Sequence, residues 1–166
     1  MRFSRTNFSP LTANAPLKPT IARTQLRFSA MAVRERNQYL DMVVELVREH
    51  LFENLEDDEL CKDICAVVAI NLLKTHEDNE NSARAWDKKH FHVKADELRR
   101  DGAWALPMSQ AAQTLAYAGR KFSGDDAERL LGMLPEDLEM PRRRRFKDLE
   151  LLRGAAAAAR RTILKK

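Results

Sequence analysis

Apolar positions along this chain recur every three to four residues, and no stretch of four to eight residues alternates cleanly with period two. That spacing is the mark of helices buried along one side, and it leaves little material for strands. Segment 33–54 sets Leu40, Val43, Val44, Val47 and Leu51 against Glu35, Arg36, Asp41, Glu45, Arg48 and Glu49, which predicts a strongly amphipathic helix. Segment 56–75 opens with four acids, Glu56 to Glu59, suited to the positive end of a helix dipole. Leu60, Ile64, Val67, Val68 and Leu72 then form a broad face. Cys61, Cys65, Ala69 and Ile70 extend it almost all round, so this helix is expected at the centre of the core.

The polar stretch from His76 to Ser82 reads as a loop, and a third helix is expected from an Asn81 or Ser82 cap to Gly102. A fourth, from about Pro107 to Gly119, is rich in small residues (Ala111, Ala112, Ala116, Ala118) that allow close helix approach. Ser123 and Asp126 form a capping-box variant that opens a short helix over 124–133, with Leu130, Leu131, Met133 and Leu134 facing inward. Pro135 and Pro141 frame an acidic linker. The last helix is expected from Pro141 through Leu152, resuming beyond Gly154 along five alanines, Ala155 to Ala159. Phe146, Leu149, Leu152, Ala156 and Ile163 make its apolar stripe. The fold class is therefore all-α: a single compact bundle of about five or six helices, with a disordered basic N-terminal leader and a basic C-terminal helix. Residues 1–31 are the leader or arm, 32–140 an acidic helical domain, and 141–166 the basic Ala/Arg-rich helix.

Composition narrows this picture. The longest near-continuous apolar run, Ile64 to Leu73, is ten residues, against the roughly 20 that a membrane-spanning helix needs. The chain is expected to be soluble or peripheral. Its 166 residues suit one domain plus tails.

Charge is divided in three. Residues 1–34 carry six basic side chains and no acid, 35–141 carry 13 basic and 23 acidic, and 142–166 carry ten basic and two acidic. An acidic body with two basic ends is not the uniform footprint of a dedicated nucleic-acid domain, although either end suits an anionic partner. The first 30 residues hold five basic residues, seven Ser or Thr and no Asp or Glu, with no long apolar stretch. That composition predicts a mitochondrial or plastid transit peptide, the alternative being a disordered arm on a cytoplasmic protein.

Candidate chemistry is sparse. Cys61 and Cys65 lie one helical turn apart among apolar neighbours and lack the second pair that a zinc site requires, so they read as buried, reduced thiols. His76, His90 and His92 show no metal-ligand spacing. No nucleophile elbow, glycine-rich phosphate loop or cofactor motif is present, so no catalytic residue, metal or cofactor is expected. Asp57, Asp58, Asp125 and Asp126 sit at helix starts, where capping accounts for them.

The run Arg142, Arg143, Arg144 and Arg145 is the conspicuous feature. Four cations at the positive end of a helix dipole are unfavourable unless an anion offsets them. RNA phosphate, an acidic protein surface or anionic lipid would do so, and so would the neighbouring acids of the linker. Lys147, Arg153, Arg160, Arg161 and Lys165 extend the basic sector. Trp104, between two helices, is either a core anchor or an exposed partner anchor. The leading expectation is a non-enzymatic helical subunit or assembly factor of a larger organellar complex, acting by protein–protein docking. The alternative is an RNA-associated protein, for example at a ribosome, gripping the phosphate backbone through its C-terminal helix. A small metal-dependent enzyme is the third reading.

Overall fold

The computed structural model describes residues 34–163, and the expected leader and Lys165 lie outside them. Among the described residues there are helices and no strands. Helix α1 covers 34–53. Val43, Val44, Leu46, Val47 and Leu51 are fully buried, as the amphipathic pattern requires. Over Leu46–His50 it widens into a π turn, closed by the Leu51 N–H donating to the Leu46 carbonyl. This shift of one residue brings His50 into line with Glu45 rather than Leu46.

Helix α2 (Asp58–Asp87) is 30 residues long, about 45 Å at 1.5 Å per residue. Asp57 caps it by accepting from the Leu60 N–H at 3.0 Å. It forms the axis of the core, with Leu60, Cys61, Ile64, Cys65, Val68 and Leu72 at 3% exposure or less. Its main partner is α4 (Ala105–Ala116), whose Ala105, Ser109 and Ala112 let the two backbones approach closely. Ser109 Oγ donates to the Ala69 carbonyl at 2.7 Å across that contact. Helix α3 (His92–Asp101) folds back along the distal half of α2. Helix α5 (Gly124–Met133) begins with the complete capping box expected of Ser123 and Asp126. A 3-10 turn (Leu149–Leu152) and helix α6 (Ala155–Ile163) close the molecule, contributing Leu152 and Ala159 to the same core.

Three expectations need correction. The stretch from His76 to Ser82 is helix, because α2 runs straight through it. Its polar side chains are met sideways: Asn79 donates to the Leu98 carbonyl at 2.9 Å and accepts from Arg36 at 2.8 Å, and Thr75 donates back to the Asn71 carbonyl. A Cβ on Gly102 would collide with the Asn79 amide, so the glycine is there for close approach. The expected single helix up to Gly102 is instead broken at Lys88 to Phe91, with His90 at φ +63°.

The third correction concerns Pro141 to Leu152, which does not begin as a helix. Residues 141–148 form an irregular strap, and helical structure resumes only at Leu149. Four arginines at a helix start oppose the dipole, whereas a strap lets α1 accept the backbone N–H groups of this segment directly.

Candidate functional site

The basic C-terminal segment is built onto the acidic side of α1. Glu45, with no exposed surface, accepts the N–H of Arg145 at 2.8 Å and of Phe146 at 3.0 Å, and meets His50 Nε2 at 3.3 Å. Burial works to raise the Glu45 carboxyl. The two N–H donors and His50 outweigh it and hold its pKa below the usual carboxylate value. The Phe146 ring stands edge-on to His50 with centroids 6.4 Å apart. One turn either side of Glu45, Asp41 takes Arg145 at 2.7 Å and Glu49 takes Arg144 at 3.2 Å. Arg48 donates to the Leu138 carbonyl at 2.6 Å, pinning the acidic linker that leads into the strap.

The arginine run is thereby divided. Arg144 and Arg145 are consumed by α1. Arg142 and Arg143 are exposed and have no ion-pair partner among the described residues. Lys147 is likewise exposed and unpaired among them.

Arg153 serves the fold. It bridges Asp57 and Glu150, each at 2.7 Å, and these carboxylates raise its pKa further. Asp63 on α2 then accepts the N–H groups of Gly154 and Ala156, each at 2.8 Å, and so caps α6 from another helix. Gly154, at φ +81°, makes the turn that allows this. Arg160 lies over the Tyr117 ring at 5.5 Å, and Tyr117 Oη donates to the Ala156 carbonyl. Arg161 is exposed and unpaired among the described residues.

Trp104 is half-buried in the wall of a groove of about 250 Å³ between α1, α2 and the linker, shared with Arg36, Asn79, Asp101 and Asp137. Cys61 and Cys65 are buried free thiols. Burial pushes Cys61 up to about 11 and Cys65 further still. Cys61 Sγ donates to the Asn54 carbonyl at 3.2 Å.

Two features gave no signal strong enough to be read from sequence. Glu45 and Asp63 look like ordinary solvent-face acids on helical wheels, and only the path of residues 141–156 makes them buried acceptors. The apex at Lys88 to Val93 was hidden inside an expected helix. The chain matches no family model, no curated protein and no solved structure.

Proposed function

We propose that this protein is a non-enzymatic helical subunit or assembly factor of a larger complex, docking through the outer edge of its C-terminal strap. The observation that carries the reading is the division of the arginine run. Arg142 and Arg143 stand exposed and unpaired among the described residues, on a backbone that the buried Glu45 carboxylate fixes through the Arg145 N–H, two residues beyond Arg143. A cation held on an ordered backbone loses less entropy on binding than one on a free arm, which favours a defined acidic surface on a partner. The acid-free, Ser- and Arg-rich first 30 residues support an organelle, mitochondrion or plastid, as the setting.

RNA contact is the second reading, favoured by the same unpaired guanidiniums together with Arg161. It is confined to the phosphate backbone, since Phe146 turns inward onto His50 rather than outward to stack a base.

The test is affinity purification of the endogenous protein with and without nuclease, beside an Arg142→Gln/Arg143→Gln variant. Docking predicts a high-mass assembly that survives nuclease and weakens at least tenfold in the variant, with melting unchanged. Release of the co-purifying chains by nuclease selects the RNA reading. A free monomer under both conditions defeats both.

A further inference from the structure

The hairpin apex between α2 and α3 points to a second contact surface. The chain turns through Lys88, Lys89 and His90, where His90 adopts a left-handed backbone that non-glycine residues rarely take. The turn sets Phe91 edge-on against Trp86, with ring centroids 5.6 Å apart. Lys94 and Lys89 place their ammonium groups over the Trp86 ring at 4.8 and 5.4 Å. Every residue from Lys88 to Lys94 is exposed. Phe91 and Val93 are 54% and 73% exposed, although both are large apolar side chains. Helix α3 buries only Ala95, so its outer face has no partner within the described chain.

We propose that this apex docks on a membrane surface carrying anionic phospholipids. Phe91 and Val93 enter the boundary between headgroups and acyl chains, while Lys88, Lys89 and Lys94 meet the phosphate layer. Three observations favour that occupant.

The first is charge. No Asp or Glu occurs between Lys88 and Ala95, and the neighbouring Asp87 is taken by Arg99 at 2.7 Å and His92 at 2.9 Å. The turn itself therefore offers positive charge to an anionic plane, with Glu97 of α3 the acid that lines the same hollow.

The second is shape. The apolar pair sits just past the C-terminal end of a helix about 45 Å long, on a turn whose residues are all exposed and can meet a flat surface. The third is side-chain chemistry. Trp86 is half-buried just behind the apex, and its amphipathic ring suits the headgroup level. An RNA platform would stack bases on several open rings, but Trp86 is already covered by lysines, Val93 has no π-face, and the exposed Phe91 stands edge-on to Trp86 instead of beside a second open ring face. The contact is peripheral, since no described helix is long and apolar enough to cross a membrane.

The experiment is co-sedimentation of the full chain with phosphatidylcholine vesicles, with and without one third phosphatidylserine. Three variants accompany it: Phe91→Ser/Val93→Ser, Lys88→Gln/Lys89→Gln/Lys94→Gln, and Arg142→Gln/Arg143→Gln. All the altered residues are exposed, and an unchanged helical melt confirms that each variant folds. The basic first 34 residues are common to every sample, so differences between variants isolate the apex.

The wild-type chain should pellet with the anionic vesicles and not with phosphatidylcholine alone. At roughly fivefold per lysine, the triple variant should bind about a hundredfold more weakly. The Phe91/Val93 variant, at unchanged charge, should bind about tenfold more weakly. The Arg142/Arg143 variant should stay within twofold, which keeps this result separate from the docking proposed for the strap. Three results would each overturn the proposal: no binding to anionic vesicles, apex variants that bind those vesicles as tightly as the wild-type chain, or apex variants that lose only binding to a poly(U) oligonucleotide.

Discussion

Glu45 shows how much one side chain can decide. It is a carboxylate with no exposed surface on an otherwise apolar stretch of α1, and it is stable there because three donors converge on it. Replacing it with Gln keeps the shape but removes the charge and puts an NH2 group among N–H donors. Glu45→Gln should destabilise the chain by about 2–3 kcal/mol. It should also free the strap, so limited trypsin digestion should cut at Arg142 to Arg145 much faster than in the wild-type chain. Unchanged cutting would mean that Arg144 and Arg145 hold the strap through their ion pairs alone. Those pairs are partly exposed and contribute little individually, which is why the buried acceptor is the better candidate for the anchor.

Helix ends are where local sequence and tertiary structure meet. The start of α5 is local: Ser123 Oγ accepts from the Asp126 N–H, and the Asp126 carboxylate accepts from the Ser123 N–H at 3.0 Å. Arg120 adds a bidentate pair to Asp126, each bond 2.6 Å. Arg120 first, then Ser123, holds the Asp126 carboxyl down at about 2 against an ordinary 3.8. A depressed carboxyl stabilises the fold only while it is ionised. Its contribution is therefore complete above about pH 4 and is lost as pH falls through 2. Acid titration followed by circular dichroism should show a wild-type limb in that window, and Asp126→Asn should flatten it while lowering stability at neutral pH by about 1–2 kcal/mol. The start of α6 is different in kind, because its cap, Asp63, lies 91 residues before Gly154 on another helix. No local motif announces it.

At the scale of the whole molecule, one core joins the described elements other than α3, from Val43 in α1 to Ala159 in α6. Cys61 and Cys65 sit at its centre with no exposed surface and with thiols held well above neutral pH. Labelling by a thiol reagent at pH 8 should therefore be slow in the native chain and immediate after denaturation. Its rate should follow global stability across a denaturant series, because only whole-core opening exposes both sulfurs. Fast labelling under native conditions would place α2 in a smaller, separately opening unit. The surface of the same molecule is asymmetric. The C-terminal Arg145, Arg144 and Arg153 occupy Asp41, Glu49 and Asp57, while Arg142, Arg143, Lys147 and Arg161 stay exposed and unpaired and the apex lysines form no ion pair among the described residues.

Local residue spacing was enough to specify the helical class, the amphipathic face of α1, the central place of the helix holding Cys61 and Cys65, and the capping box at Ser123. Each depends on residues within one or two turns of one another, where spacing alone sets which side chains meet. It did not reveal that α2 continues through Asn79, because the partners that make a buried Asn tolerable are Arg36 and the Leu98 carbonyl, 43 and 19 residues away. Nor did it reveal the strap at Arg142 to Arg145, its split between paired and free guanidiniums, or the exposed apex at Phe91. Those were decided by tertiary structure, because a buried carboxylate chooses its N–H donors by position in space and an apolar residue is exposed only when no neighbouring element arrives to cover it.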